Sequence, residues 1–378
     1  MKHFVCVHRP RELLLGFPTG KVRLSGRLRV YICRKISRPN ELCHGRSISM
    51  KAAVYTRYGP PEVVVQIEDV ERPVPWDNEV LIKVRAASVN PLDAGLMKGM
   101  PHSFRILFGL RKPRLKRPGV DVAGQVEAVG RKVTQCKPGD EVFGICKGAF
   151  AEYVCAPESG LAIKPENLTF EQAASAPVAA LTALQGLRDK GHIQPGQKVL
   201  INGAAGGVGT FAVQIAKSLG ADVTGVCSTR NVEMVRSMGA DQVIDYTQQD
   251  FTESGKRYDL VFDCFVNHSL SACRRTLNPK GIYLMVGGPP KRWMVTILAL
   301  VIKALVLSAF VSQRFVVYIA RSNREDLTMM SKLMASGRVQ PVIDKRYKLS
   351  EVAEALRYLE QRHARGKVII ILACNNKT

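Results

Sequence analysis

Ten cysteines are spread through the 378 residues with no C-x-x-C pair among them. A disulfide scaffold and a structural zinc knot are thereby excluded, and free cysteines inside apolar strands fit a reducing compartment. None of the seven histidines falls in a metal-ligand spacing. No apolar run reaches the roughly 20 residues a membrane span needs. The most hydrophobic region, Trp293 to Ala320, is divided by Lys303 and Arg314 and reads as a buried helix pair or a subunit interface. Leu13 to Leu15 is too short for a secretory core. Acids are also scarce: 32 against 55 Lys and Arg, for a net charge of +23. Residues 1–49 hold eleven of those bases and two acids, Glu12 and Glu41, which leaves about +14 for the rest. A phosphate-rich ligand accounts for part of that excess, and basic charge alone does not separate it from nucleic acid or an anionic membrane.

What is present centres on Val199 to Arg230. The apolar run Val199 to Ile201 meets Gly203, Gly206, Gly207 and Gly209. A helical stripe follows, through Val208, Phe211, Ala212, Ile215, Ala216 and Leu219, and then a second apolar run, Val223 to Cys227. Strand, glycine turn, helix and strand in this order make a dinucleotide site, with the pyrophosphate at the helix N-terminus. The second strand ends in Ser228, Thr229 and Arg230, with no carboxylate between Val223 and Asn231. An acid there would hold the ribose of NAD, whereas an Arg with hydroxyls suits the 2′-phosphate of NADP. NADPH is therefore the expected cofactor, with Tyr246 lining the adenine pocket and Gly287 near the nicotinamide.

The length suggests two domains. Residues 1–49 form a basic extension expected to be disordered, read either as lying upstream of a natural start at Met50 or as an organelle-import segment. Residues 50–174 read as a β-rich, barrel-like domain, with strands Val63 to Ile67, Val80 to Ala86, Val122 to Ala128, Glu141 to Ile145 and Ala151 to Ala156. The loop Met97 to Gly119 carries seven Lys or Arg and is expected at a cleft mouth. From 175 to 320 strands alternate with helices, which predicts an α/β fold with a doubly wound parallel sheet. Residues 321–378 alternate again, with Ser350 expected to cap a helix.

From Met50 onward the chain resembles the medium-chain dehydrogenase/reductase superfamily, in its zinc-free quinone oxidoreductase (zeta-crystallin-like) and enoyl-reductase branch. The resemblance is carried by KAAVYTRYGPPEV (Lys51 to Val63), ASVNPLDAGLMKG (Ala87 to Gly99), PGVDVAGQVEAVG (Pro118 to Gly130), KPGDEVFG (Lys137 to Gly144), LTALQGL (Leu181 to Leu187), GAAGGVG (Gly203 to Gly209) and ARGKVII (Ala364 to Ile370). It implies a GroES-like catalytic domain, a Rossmann domain, and residues 321–378 returning to the catalytic domain. The zinc ligands of the alcohol-dehydrogenase branch are replaced by Asn90 and by Val120-Asp121, so no zinc is expected. Without a Lewis acid, a quinone or α,β-unsaturated carbonyl suits the site better than an ordinary ketone. The resemblance gives Asn90 a polarising role, Asp93 a proton relay, and Thr182 and Lys367 contacts with the cofactor. Asn90 and Asp93 read equally well as turn and helix-cap residues. The alternatives are an alcohol or aldehyde reductase and an RNA-binding or structural zeta-crystallin-like protein. Nucleic acid is the lesser reading, since the basic loop Arg111 to Arg117 has only Phe104 and Phe108 nearby for stacking. A cytoplasmic homodimer is expected.

Overall fold

Strand β3 (Glu79–Val89) is the axis of the N-terminal half because its side chains are buried on both faces over its last residues. It pairs antiparallel with β4 (Asp121–Val129), β6 (Tyr153–Pro157) and β15 (Lys367–Ile371). The computed structural model describes residues 48–100, 105, 109–287 and 311–372. The seven-stranded sheet runs β14 (Ile343–Lys348), β15, β3, β4, β5 (Glu141–Ile145), β7 (Leu161–Ile163), with β6 paired to β3 off this path. Two of its strands thus come from the C-terminal segment. Val80, Ile82, Val84, Val122, Val126, Val142, Phe150, Val368 and Ile370 fill its core.

The expected strand Val63 to Ile67 does not form as written. Pro61 opens a single helical turn, α1 (Pro61–Val64), because a proline at that point presets the helical dihedral and needs no amide donor. The strand starts later, as β2 (Gln66–Glu71), paired antiparallel with β1 (Ser49–Val54). Helix α2 (Pro91–Lys98) takes the first residues of the basic loop, whose exposed members include Arg111, Lys112, Arg114 and Lys116. Pro113 and Pro118, in contrast, are buried.

The second half is a parallel sheet in the order β10 (Gln242–Asp245), β9 (Asp222–Cys227), β8 (Lys198–Asn202), β11 (Tyr258–Asp263), β12 (Leu277–Met285), β13 (Arg314–Val317). Strand order reverses between β8 and β11, and a ligand binds such a sheet at the carboxyl ends of the strands beside that switch. One face packs on α3 (Phe170–Ser175), α4 (Pro177–Gln185), α5 (Gly207–Ser218) and α8 (Arg324–Ala335). The other buries Leu200, Val226, Ile244, Val261 and Tyr283 with α7 (Leu270–Arg275). Between β9 and β10 lies α6 (Val232–Ser237).

Helix α5 is buried nearly all round rather than along one stripe. Its polar residue Gln214 donates to Gln340 O and accepts from Gln340 N, at 2.9 and 2.7 Å, so the returning C-terminal chain covers the face that the periodicity leaves to solvent. Ser350 does not cap α9 (Val352–Glu360). It sits inside a 3-10 turn, Leu349–Glu351, where the Glu351 carboxylate accepts from Lys348 N at 2.7 Å instead. The apolar stretch 293–320 lies outside the described residues up to 310, and so does the extension 1–47.

Candidate active site and nucleotide turn

Sheet register assembles the first half of the site. Ser88 on β3 faces Asp121 on β4, and Val89 faces Val368 on β15. The end of β3, the start of β4 and the start of β15 therefore meet, and Ser88, Asn90, Asp121 and Lys367 converge with 0–3% exposure. Lys367 Nζ donates to Asn90 Oδ1 at 2.7 Å and stands 3.4 Å from Asp121 Oδ2. That same oxygen accepts from Ser88 Oγ at 2.6 Å and from Asn90 Nδ2 at 2.8 Å. Asp121 Oδ1 accepts from the Val178 amide at 2.9 Å, at the positive end of α4. A buried charge is tolerable only when paired and hydrogen-bonded. Here the carboxylate has an ammonium, a hydroxyl, a side-chain amide and a helix amide.

Asp93 is the third residue of α2 and closes a capping box with Asn90. Its Oδ2 accepts from Asn90 N at 2.8 Å and its Oδ1 from Gly119 N at 3.1 Å. Burial pushes its carboxyl up to about 7; the two amides and Lys367 pull the other way, and the Asp121 charge adds to the rise. Asp93, Tyr55, Arg117 and Lys147 line a cavity of about 20 Å³, room for a single water.

The glycine turn forms the second half. Gly203 has φ +83°, open to glycine at little cost, and a side chain at Gly209 would reach 2.1 Å from Gly203 O. Gly206 differs: a Cβ there would meet only Gly203 O, at 3.4 Å. Packing does not demand a glycine at 206, so the cleared space fits a group that approaches the backbone from outside. The amides of Val208 and Gly209, in the first turn of α5, have no acceptor among the described residues. Those features fit a pyrophosphate.

The two halves are joined by the segment before β15. Gly366 N donates to Ala205 O at 2.9 Å, and Lys367 runs past Gly207, where a Cβ would touch its Cδ at 2.9 Å. Arg230, at the far end, donates to His363 O at 2.8 Å. Ser228 is half-buried, Arg230 is exposed, and Tyr246 is 58% exposed beside them. Asp245 also lies at this edge, held below the usual carboxylate range by the Thr229 hydroxyl, at 2.5 Å, and by Thr247. Thr182 is half-buried on α4; its hydroxyl donates to Val178 O at 2.6 Å, and its carbonyl accepts from Tyr318. Gly287 lies two residues beyond β12 with its backbone against Cys264 O, which a Cβ would meet at 1.9 Å.

Sequence reasoning did not single out Asp121, Ser88 or a second buried cluster at the sheet's carboxyl edge. There, Asp263 accepts from Asn202 Nδ2 and the amides of Phe265 and Val266, each at 2.8 Å, and from the Tyr283 hydroxyl at 2.5 Å. The available signal was an acid within an apolar strand, as in Val120-Asp121-Val122 and Val261-Phe262-Asp263, where burial forces a partner. Among the described residues, no three His, Cys, Asp or Glu side chains stand in a metal-holding group. No helix among them is long and apolar enough to cross a membrane.

Residues 76–166 match the alcohol dehydrogenase GroES-like domain, and residues 238–370 match the family described as zinc-binding dehydrogenase. The NADPH-dependent alkenal/one oxidoreductase of Arabidopsis thaliana, chloroplastic, is 34% identical over 335 residues, covering 85% of this chain and 79% of the relative. The chloroplast envelope quinone oxidoreductase homolog of the same plant is also 34% identical, over 85% of this chain and 98% of its own. The solved quinone oxidoreductase of Coxiella burnetii superposes with a TM-score of 0.76 at 32% identity, over 86% of this chain and all of that one.

Proposed function

We propose, for a chain that belongs to the quinone oxidoreductase branch of the medium-chain dehydrogenase/reductase superfamily, NADPH-dependent reduction of quinones and α,β-unsaturated carbonyls without zinc. The observation that carries this reading is the buried ammonium of Lys367, which touches both the glycine turn and Asn90. It supplies fixed positive charge at the positions where the alcohol-dehydrogenase branch has zinc ligands. NADPH, when bound, supplies the hydride.

The amides of Val208 and Gly209 would hold the pyrophosphate at the open backbone of Gly206, with Gly207 beside it against Lys367, while Ser228 and Arg230 would hold the 2′-phosphate. Tyr246, Thr182 and Gly287 border the same edge. Oxygen on the acceptor gains negative charge as its conjugated carbon is reduced, and preorganised donors stabilise that charge. Asn90 can offer an N–H by releasing its longer bond, 3.4 Å to Ser88 O, while Asp121 keeps hold of the other. Lys367 orients Asn90 from the carbonyl side and adds its charge. Asp93, poised near neutrality beside a water-sized cavity, would hold the proton that completes reduction.

A panel of quinones, enones, aldehydes and alcohols, followed by NADPH absorbance, tests the assignment. Faster turnover of alcohols or simple aldehydes than of quinones and enones would overturn it. Asn90→Ala should slow hydride transfer about a hundredfold or more, the loss typical of one oxyanion donor, with cofactor affinity unchanged.

The assembly proposed is a homodimer. Strand β13 ends the parallel sheet, and Val317 and Ile319 beside it are 43% and 90% exposed, an edge suited to a second copy. The location proposed is cytoplasmic; the basic residues 1–49 support organelle import as the alternative, and fusions of the full chain and of a chain starting at Met50 separate the two by microscopy.

A further inference from the structure

At the amino edge of the parallel sheet, opposite the nucleotide turn, a cavity of about 190 Å³ opens between β10, β9, β8 and β11. Register places its lining on one face. Lys198 lies opposite Asp222, and Gln242 opposite Thr224, so all four side chains project to the side that buries Leu200, Val226 and Ile244 further along the same strands. Lys256 and Arg257, in the turn leading to β11, close the cavity. The space holds several waters or one compact metabolite.

Its chemistry is unbalanced. Three cations, Lys198, Lys256 and Arg257, line it with one acid, Asp222. Lys256 Nζ donates to Gln242 Oε1 at 2.6 Å, and none of the three has an ion-pair partner among the described residues. Tyr258 is 3% exposed, and its hydroxyl finds no partner at full hydrogen-bonding geometry, its contact with the Thr224 hydroxyl being a weak one. A buried donor left unmet bears its full desolvation cost, which a ligand atom would relieve.

We infer that this cavity is a binding site for a compact anion that also carries a hydrogen-bond donor, hydrogen phosphate or a small hydroxy acid. The cations and the Tyr258 hydroxyl take its anionic oxygens. Asp222 accepts from its hydroxyl, and a fully deprotonated oxyanion such as sulfate has nothing to give it. The inference does not depend on the enzyme's substrate, because the site lies at the opposite end of the strands from the cofactor.

The test is calorimetric titration of the full chain with inorganic phosphate, sulfate and glycolate at constant ionic strength set by chloride. Phosphate or glycolate should bind at least tenfold more tightly than sulfate, and whichever binds identifies the source. Lys198→Ala with Arg257→Ala should weaken that binding at least tenfold, and Tyr258→Phe several-fold. Tyr258→Phe should leave the ligand-free melting temperature unchanged or raised, as its hydroxyl has only a weak contact to lose. All titrations are run at saturating NADPH, which fills the phosphate-binding nucleotide edge. No binding beyond the chloride control, equal binding of sulfate, or binding kept in the cavity variants would each overturn the inference.

Discussion

Replacing Lys367 by Met removes one buried charge and keeps the length of the side chain. What remains is Asp121, fully buried, with three hydrogen bonds and no counter-ion. At 3.4 Å, with an effective dielectric constant of about 20, the lost attraction is about 5 kcal/mol. The bonds from Ser88, Asn90 and Val178 retain part of the carboxylate's solvation, so a net loss of about 3–5 kcal/mol is expected, the range for a broken buried pair. Asp121→Asn alone should cost a similar amount by stranding the ammonium. The double variant should cost markedly less than the sum, with a coupling energy of about 2–4 kcal/mol in a urea-denaturation cycle. Turnover should fall in Lys367→Met as well, since Asn90 loses the group that orients its carbonyl. A coupling below about 0.5 kcal/mol would refute the reasoning, by showing that the two charges do not need each other.

Gly206→Ala should leave the melting temperature nearly unchanged yet weaken NADPH binding, whereas Gly209→Ala should destabilise the fold, because only the second Cβ collides with backbone, at 2.1 Å; thermal scans with and without cofactor separate the two. Arg230→Ala should weaken NADPH by about 1.5–3 kcal/mol and NADH far less, and equal losses by fluorescence titration would remove the 2′-phosphate assignment. Asp93 has a folded pKa of about 7 against 3.8, so its contribution to stability is full below pH 3.8 and is lost as pH rises through 7. Asp93→Asn should therefore flatten the decline in stability between about pH 4 and 7, by at most about 4 kcal/mol, and an unchanged pH profile would show that burial does not raise the carboxyl. Dialysis against a strong chelator should leave activity intact, and one zinc per chain by elemental analysis would contradict the zinc-free reading.

The strand, glycine turn and helix over 198–218 were legible because their signals are local. A glycine turn between an apolar strand and a helical stripe lies within one stretch of chain, and each glycine's spacing states its own geometric need. The catalytic half is legible only in pieces. Asn90 and Lys367 are 277 positions apart, and nothing near either predicts the other; β-sheet register brings them together. Asp121 was named only as a replacement for a zinc ligand, since a lone acid in an apolar strand carries no periodic signature of the partner that its burial obliges. Pro61 misled in the opposite direction, its helical preset overriding the β-branched run Val63 to Val65.

The stretch His363 to Lys367 works as a measuring rod. One end receives Arg230 where the 2′-phosphate is expected, Gly366 is pinned to the pyrophosphate turn, and the last residue delivers its ammonium to Asn90. Four steps of chain span at most about 13 Å, and the bend at Arg365 and the φ of +89° at Gly366 shorten that reach. Because a single run of backbone marks off all three stations, their spacing is a property of chain length rather than of domain packing. Gaining or losing one residue there would shift the stations against one another while leaving every contacting side chain present.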